Sequence, residues 1–96
     1  MFRQVMVCTF VEGATPEQRQ AYRNAVEALR EIPELLEMKC GADAGHFEDN
    51  YDFVIVADFA DFESARRYVA NPVHQIYVRD HASKLVSQRV IVQHDW

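Results

Sequence analysis

The sequence lacks any apolar run long enough to cross a membrane and any linker of low complexity. A membrane-spanning helix needs about twenty consecutive apolar residues, whereas the apolar runs here extend over only a few residues. The N-terminal segment also lacks the basic region and the long apolar stretch of a signal peptide, so we expect a cytoplasmic protein. Without a Gly-, Ser- or Pro-rich linker, residues 1–96 are expected to form a single domain.

Cysteine, glycine and basic residues are also scarce, and each scarcity excludes a class of function. Cys8 and Cys40 are too few for a disulfide framework and are not at metal-ligand spacing, so we expect reduced thiols. The three glycines are isolated, so there is no glycine-rich phosphate loop and no cofactor is expected. The net charge is −5 and acids and bases are interspersed, which argues against the basic stripe that nucleic acid requires.

The four histidines do not form a metal-ligand cluster. His74 and His81 are seven residues apart, which places them about 10 Å apart on a helix, too far to share one metal ion. His46 lies in a segment of loop composition, and His94 follows the last predicted strand. We therefore expect no metal site.

The apolar residues that are present, 49% of the chain, are patterned into strands and helices. Alternation predicts a strand over residues 2–11, with Gln4 and Met6 on the same face. Thr15, Pro16 and Gln18 form a strong helix start: an N-cap, a proline at the first helical position and a capping-box partner. The expected buried stripe of this first helix consists of Tyr22, Ala25, Val26 and Leu29.

Two further strands are predicted in the middle of the chain. Residues 35–43 alternate weakly and suggest an edge strand. Residues 51–59 are apolar on both faces, which predicts a central strand that is covered twice.

The last third of the chain predicts an interrupted helix and a final strand. Asp61 can cap a helix that Asn71 and Pro72 interrupt, since proline cannot donate a backbone hydrogen bond. The helix is expected to resume and run to about residue 85, before a strand over residues 89–93. The predicted buried positions are Phe62, Ala65 and Val69 before the break and Val73, Ile76 and Tyr77 after it.

The order strand, helix, strand, strand, helix, strand predicts an α+β fold of the ferredoxin-like split β-α-β type. Such a fold is an antiparallel sheet with two helices on one face. The opposite face would leave an apolar patch in water, which a monomer rarely tolerates. A two-fold homodimer that packs sheet on sheet would cover it. The residues expected in that patch are Val5, Val7, Val54, Val56 and Ile91.

Four segments together resemble the stress-responsive dimeric α/β-barrel family, known as Dabb. They are residues 2–10, 51–59 and 68–74, and the terminal run that begins at Arg89. The most specific piece is the Tyr-x-x-x-Pro-x-His motif at residues 68–74, and the similarity extends over nearly the whole chain. The resemblance implies a ferredoxin-like fold and a homodimer in which two sheets form a barrel, but it does not imply a single reaction.

One plant branch of the family is a polyketide cyclase that catalyses an intramolecular aldol condensation with a histidine and a tyrosine. By motif, Tyr68 and His74 match that pair. A neutral imidazole can take a proton from an activated carbon, and a phenol can donate to the developing enolate oxygen. This chain departs from the branch where Gln4 and Phe53 stand in place of strand histidines.

Three functions therefore remain open. The first is binding, with or without catalysis, of a small apolar or aromatic molecule in a pocket bordered by Tyr68, His74, Gln4, Met6 and Phe53. The second is a non-catalytic accessory stress protein, in which Tyr68 closes the core and His74 bonds a carbonyl freed by the helix break. The third is a cofactor-free monooxygenase or haem-degrading enzyme of a neighbouring barrel family. The haem-degrading type relies on a spaced Asn, Trp and His set, and the terminal position of the sole tryptophan, Trp96, counts against it.

Overall fold

Alternating apolar residues build four strands, and amphipathic segments between them form helices that cover one face of the sheet. The computed structural model describes residues 1–96. The strands are β1 (Phe2–Phe10), β2 (Glu37–Ala42), β3 (Phe53–Phe59) and β4 (Val86–Asp95). The helices are α1 (Pro16–Ala28), α2 (Phe62–Ala70) and α3 (Pro72–Tyr77). A short 3₁₀ turn (Leu29–Glu31) follows α1, and a π-helical segment (Val78–Ala82) and a last helical turn (Ser83–Leu85) follow α3.

The strands are antiparallel and lie in the order β2-β3-β1-β4. This is the ferredoxin-like arrangement, so the predicted fold class is confirmed. The strand predicted to be central, β3, is central, and β2 is an edge strand as its weak alternation indicated. No helix is long and apolar enough to span a bilayer.

The predicted start of α1 and the predicted proline break before α3 are confirmed. Thr15 accepts a hydrogen bond from the Gln18 backbone at 3.1 Å, and the Gln18 side chain accepts one from the Thr15 backbone at 2.9 Å. Asn71 has an extended backbone, ends α2, and caps α3 by accepting a hydrogen bond from the Val73 N–H at 2.9 Å. The chain therefore turns between α2 and α3 without leaving the helix layer.

The predicted buried stripe of α2 is wrong at two of its three positions. Phe62 is 54% exposed and Val69 is 46% exposed, whereas Ala65 is buried as expected. The helix instead turns Ser64, Ala65 and Tyr68 toward the sheet. The large ring of Tyr68 packs edge-on against Phe59 of β3, with ring centroids 4.9 Å apart. This aromatic packing outweighs the burial of Val69 on the neighbouring face.

A similar correction applies to α3. Ile76, expected to be buried, is 47% exposed, while Tyr77 is buried and Val73 is half-buried. Tyr77 lies close to α1, where its hydroxyl is 2.8 Å from the hydroxyl of Tyr22. A pair of buried hydroxyls that satisfy each other anchors α3 to α1.

The last strand is longer than predicted, and one of its residues, Ile91, lies on the opposite face of the sheet from the one predicted. β4 begins at Val86, three residues before the predicted strand. Its first residues lie at an exposed sheet edge where polar side chains are tolerated, so they do not show the apolar pattern by which a strand is predicted. Ile91 pairs with Met6 and therefore faces the helices, not the open face that the sequence predicted for it. Val90 and Val92, which pair with Val7 and Val5, take that place.

Candidate functional site

A cavity of about 290 Å³ lies between the sheet and the α2–α3 region. Its walls come from the inner face of β1, β3 and β4, from α2 and α3, and from the π-helical segment. We call it the helix-side cavity, and its lining includes Gln4, Met6, Tyr68, His74, Arg89 and Ile91. Its volume is close to the lower end of small-molecule sites, which start at about 300 Å³.

Four of the five residues that the sequence placed around a pocket line this cavity: Gln4, Met6, Tyr68 and His74. Phe53 does not. Its ring packs at right angles to Tyr22, with centroids 5.3 Å apart, and belongs to an aromatic cluster with Tyr22 and Phe10. Strand alternation assigns Phe53 to the correct face, but position along the strand separates it from the cavity.

Tyr68 combines a buried ring with an unpartnered hydroxyl. The residue is only 3% exposed, and burial raises the pKa of its phenol above the ordinary value. No protein group bonds the hydroxyl, and every fully buried side-chain polar atom in the structure has a partner, so the hydroxyl is open to the cavity. A phenol with a raised pKa keeps its proton at neutral pH and can donate a hydrogen bond to a guest.

His74 lies beside Tyr68, with ring centroids 4.8 Å apart in an edge-to-face contact. Burial, and then the positive charge of Arg89, lower the pKa of its imidazole below 6.5. No protein group is hydrogen-bonded to either ring nitrogen, and the helix break is closed by Asn71. His74 is therefore a neutral base at pH 7 that faces a cavity, and it does not have the alternative role of capping a carbonyl at the helix break.

Tyr77 forms part of the cavity wall, which sequence reasoning missed. Its place on a helical apolar stripe predicts a packing role, and it also serves that role through its bond to Tyr22. Burial raises the pKa of Tyr77 to about 12. Its ring centroid lies 5.5 Å from that of His74, so the imidazole sits between two tyrosine rings.

Residues of β4 and of the π-helical segment complete the lining and were not predicted. Arg89 and Ile91 face inward because they pair with Cys8 and Met6. The signal in the sequence was the alternation of Arg89, Ile91 and Gln93. The prediction for this strand placed Ile91 on the same face as the valines, which is the opposite face of the sheet. Val78 and Ala82 line the cavity from the π-helical segment, a type of irregular turn that is often found at functional sites.

Gln4, a polar residue of the cavity lining, is held by an amide partner. The side-chain N–H of Gln93 donates to the Gln4 carbonyl oxygen at 2.6 Å across the β1–β4 pair. Trp96 lies away from the cavity, over the guanidinium of Arg3 at 4.6 Å. No group of three or more His, Cys, Asp or Glu side chains is placed to hold a metal ion.

The lowered pKa of His74 can be tested by titrating its ring in solution. In an NMR titration, the midpoint of the His74 ring resonances should fall below 6.5, and replacing Arg89 with glutamine should raise it. The groups that face the ring are Tyr68 from α2, Tyr77 from α3 and Arg89 from β4, and only Arg89 is charged. A midpoint at or above 6.5 in the wild-type protein would contradict this assignment.

The lowered pKa of His74 also predicts how the stability of the protein depends on pH. Because the unfolded chain binds the proton more readily than the folded one, the contribution of His74 to stability is complete above pH 6.5. It is lost as the pH falls from 6.5 through the folded pKa. As the pH falls through this range, the melting temperature of the wild-type protein should therefore drop relative to that of a His74→Gln variant, whose side chain does not titrate.

The fold and this cavity define the class of protein: a ferredoxin-like α+β domain with a small, mostly apolar pocket between helices and sheet. The family described as Stress responsive A/B Barrel Domain, Dabb, matches residues 2–95. The chain therefore belongs to the Dabb family, as its resemblance implied.

Solved structures with the same fold include a dimeric ferredoxin-like protein of unknown function from Thermobifida fusca. It is 30% identical with a TM-score of 0.90, over 99% of this chain and 90% of that one. A Dabb family protein from Mesorhizobium loti is 20% identical, with a TM-score of 0.84 over 99% of this chain and 95% of its own. A hydroxynitrile lyase from Passiflora edulis is 15% identical, with a TM-score of 0.83 over 97% of this chain and 90% of its own. No curated protein sequence matches this chain.

Proposed function

We propose that this protein binds a small apolar or aromatic molecule in the helix-side cavity. The observation that supports this most is the cavity itself: about 290 Å³ remain open beneath Tyr68 and His74. Met6 and Ile91 supply apolar walls, and Tyr68 and His74 supply polar groups that no protein atom satisfies. Apolar walls with a few converging polar groups are the usual composition of a small-molecule site.

A specific observation also favours proton transfer at this site. His74 is neutral at pH 7 and can accept a proton from an activated carbon, while Tyr68 retains its proton and can donate it to the developing oxygen. Together these steps form an enol, the intermediate of an aldol cyclisation such as the polyketide cyclase reaction. The Passiflora protein, a hydroxynitrile lyase, is an enzyme with the same fold. Gln4 and Phe53 stand where the cyclase branch has histidines, so the proposal covers proton transfer and not the cyclase substrate.

We further propose that the chain forms a homodimer through the open face of the sheet. We call this surface the valine face, and its members are Val5, Val7, Val54, Val56, Val90 and Val92. Val90 and Val92 are 49% and 56% exposed in the single chain, a contiguous apolar patch that a partner sheet would cover. The relative from Thermobifida fusca is dimeric.

One end of the valine face is polar but electrically neutral. Arg3 donates two hydrogen bonds to Asp58, at 2.7 and 2.9 Å, across the β1–β3 pair. Asp58 is buried and the guanidinium lowers the pKa of its carboxyl, so the pair stays ionised. A partner sheet would meet no uncompensated charge there.

Binding can be tested with phenol, a neutral aromatic probe with one polar group. At millimolar concentration, phenol should shift the backbone amide resonances of Met6, Ala57 and Tyr77 in wild-type protein. Replacing the half-buried cavity residue Ala82 with phenylalanine should abolish these shifts, because the new ring fills the site.

Ala70 provides the matched control, since it is exposed at the end of α2 and outside the cavity. Ala70→Phe should bind phenol like the wild type. Phenol shifts that are absent from the wild type, or unchanged in Ala82→Phe, would remove the binding proposal and favour a non-catalytic accessory role.

A further inference from the structure

Arg89 is an unpaired cation at the edge of an otherwise uncharged cavity. The lining contains no Asp, Glu or Lys, and the Arg89 side chain makes no ion pair or hydrogen bond within the protein. The other arginines are engaged: five form ion pairs and two lie over aromatic rings. They are Arg3, Arg30, Arg66, Arg67 and Arg79, and then Arg19 and Arg23. Although the chain has a net charge of −5, no Asp or Glu side chain forms an ion pair with the Arg89 guanidinium.

The strand register shows that the two ends of the cavity differ in chemical character. Along the inner face of β4, Arg89 is two residues from Ile91, about 7 Å, and Gln93 follows by the same step. The cavity therefore has a cationic end at Arg89, an apolar middle at Met6 and Ile91, and an amide end at Gln4, whose carbonyl oxygen Gln93 holds from outside the lining. His74 and Tyr68 face the interior of this space from the helices.

Arg89 is exposed at the rim of the cavity, and its charge acts on two other lining residues. It contributes to the low pKa of His74 after burial, and it opposes the burial that raises the pKa of Tyr77. Both residues line the cavity from α3, across from β4. A guanidinium that lines the cavity and acts on both residues is within reach of a guest there.

We propose that the natural ligand is a small carboxylic acid whose carboxylate pairs with Arg89 while its ring or hydrocarbon body packs against Met6 and Ile91. The guanidinium offers a planar fork of donors that matches a carboxylate, and no protein acid competes for it. The cavity volume of about 290 Å³ equals the liquid volume of about ten water molecules, which suits a compound with one ring. This inference rests on the proposed binding function and adds the chemical class of the ligand.

Three probes separate the charge from the ring: benzoate carries both, benzamide has the ring without the charge, and acetate has the charge without the ring. In NMR titrations of the full chain, benzoate should bind in the cavity more tightly than either. Arg89→Gln should weaken benzoate binding by about 10- to 100-fold, the range for a charge-assisted hydrogen bond, and leave benzamide binding nearly unchanged. Benzoate should also raise the pKa of His74, because it neutralises the charge that lowers it.

Arg79→Gln is the matched control, since Arg79 is exposed and pairs with Asp80 outside the cavity. It should bind benzoate like the wild type. If benzoate and benzamide bind the cavity equally, or if Arg89→Gln binds benzoate normally, the carboxylate assignment is wrong while the binding function stands. If neither aromatic probe shifts cavity resonances, both proposals fail.

Discussion

Replacing Val56 with aspartate should convert the protein from a dimer to a monomer at micromolar concentration. Val56 belongs to the valine face and pairs with Val5 of the central strand β1. A two-fold interface would bury the new carboxylate twice, and the cation nearest to it, Lys39 opposite Val56 on β2, already pairs with Glu37. At several kcal/mol for each buried ion, the loss is on the order of 5 kcal/mol or more, which weakens the dimer by a few thousand-fold. Light scattering coupled to size exclusion measures the mass directly.

Val69→Asp is the control for this change, because Val69 is 46% exposed on the helix side of the molecule. It should remain dimeric. A monomeric wild-type protein, or a Val56→Asp variant that stays dimeric, would contradict the assignment of the interface. The monomeric variant should still bind phenol, since the helix-side cavity and the valine face lie on opposite faces of the sheet.

Replacing His74 with glutamine should remove the ability to take a proton from an activated carbon. A suitable probe is 2,4-pentanedione, whose central carbon lies between two carbonyls. In deuterated buffer, the wild-type protein should accelerate exchange of the central protons: His74 removes a proton, Tyr68 donates to the enolate oxygen, and the reverse steps deliver deuterium. Loss of a positioned base should reduce the catalysed rate by about 100- to 10,000-fold. Proton NMR of the probe follows the exchange.

Two further variants decide whether His74 is catalytic. Tyr68→Phe should slow exchange by about 100-fold, because it removes the only phenolic donor assigned to the developing oxyanion. His81→Gln should leave the rate unchanged, since His81 does not line the cavity. If free imidazole at the same concentration accelerates exchange as much as the protein does, the cavity is a binding site without catalysis.

Much of the fold follows from local patterns in the sequence. Thr15, Pro16 and Gln18 predict the start of α1, and Asn71 with Pro72 predicts the break before α3, because caps and prolines act on their immediate neighbours. The apolar character of residues 51–59 predicts a central strand. The family motif likewise marks Tyr68 and His74 through residue type and spacing alone.

Local patterns mislead where several apolar faces compete or where a strand lies at an edge. In α2, Val69 and Tyr68 both fit a helical stripe, and only the presence of Phe59 opposite decides for Tyr68. In β4, polar residues hide the start of the strand, and the pairing with β1 sets which side chains face inward. Because a strand has a period of two, a one-residue error in phase moved Ile91 to the wrong face.

The sequence by itself determined the order of the elements, the ferredoxin-like class, the family and the polar pair Tyr68 and His74. The tertiary structure alone decided that these two residues face a cavity, that Phe53 does not, and that Arg89 joins them. The physical reason is that caps, breaks and periodicity are properties of neighbouring residues. A cavity, by contrast, is space left between elements distant in sequence, and the charge of Arg89 reaches His74 only after β4 has paired with β1.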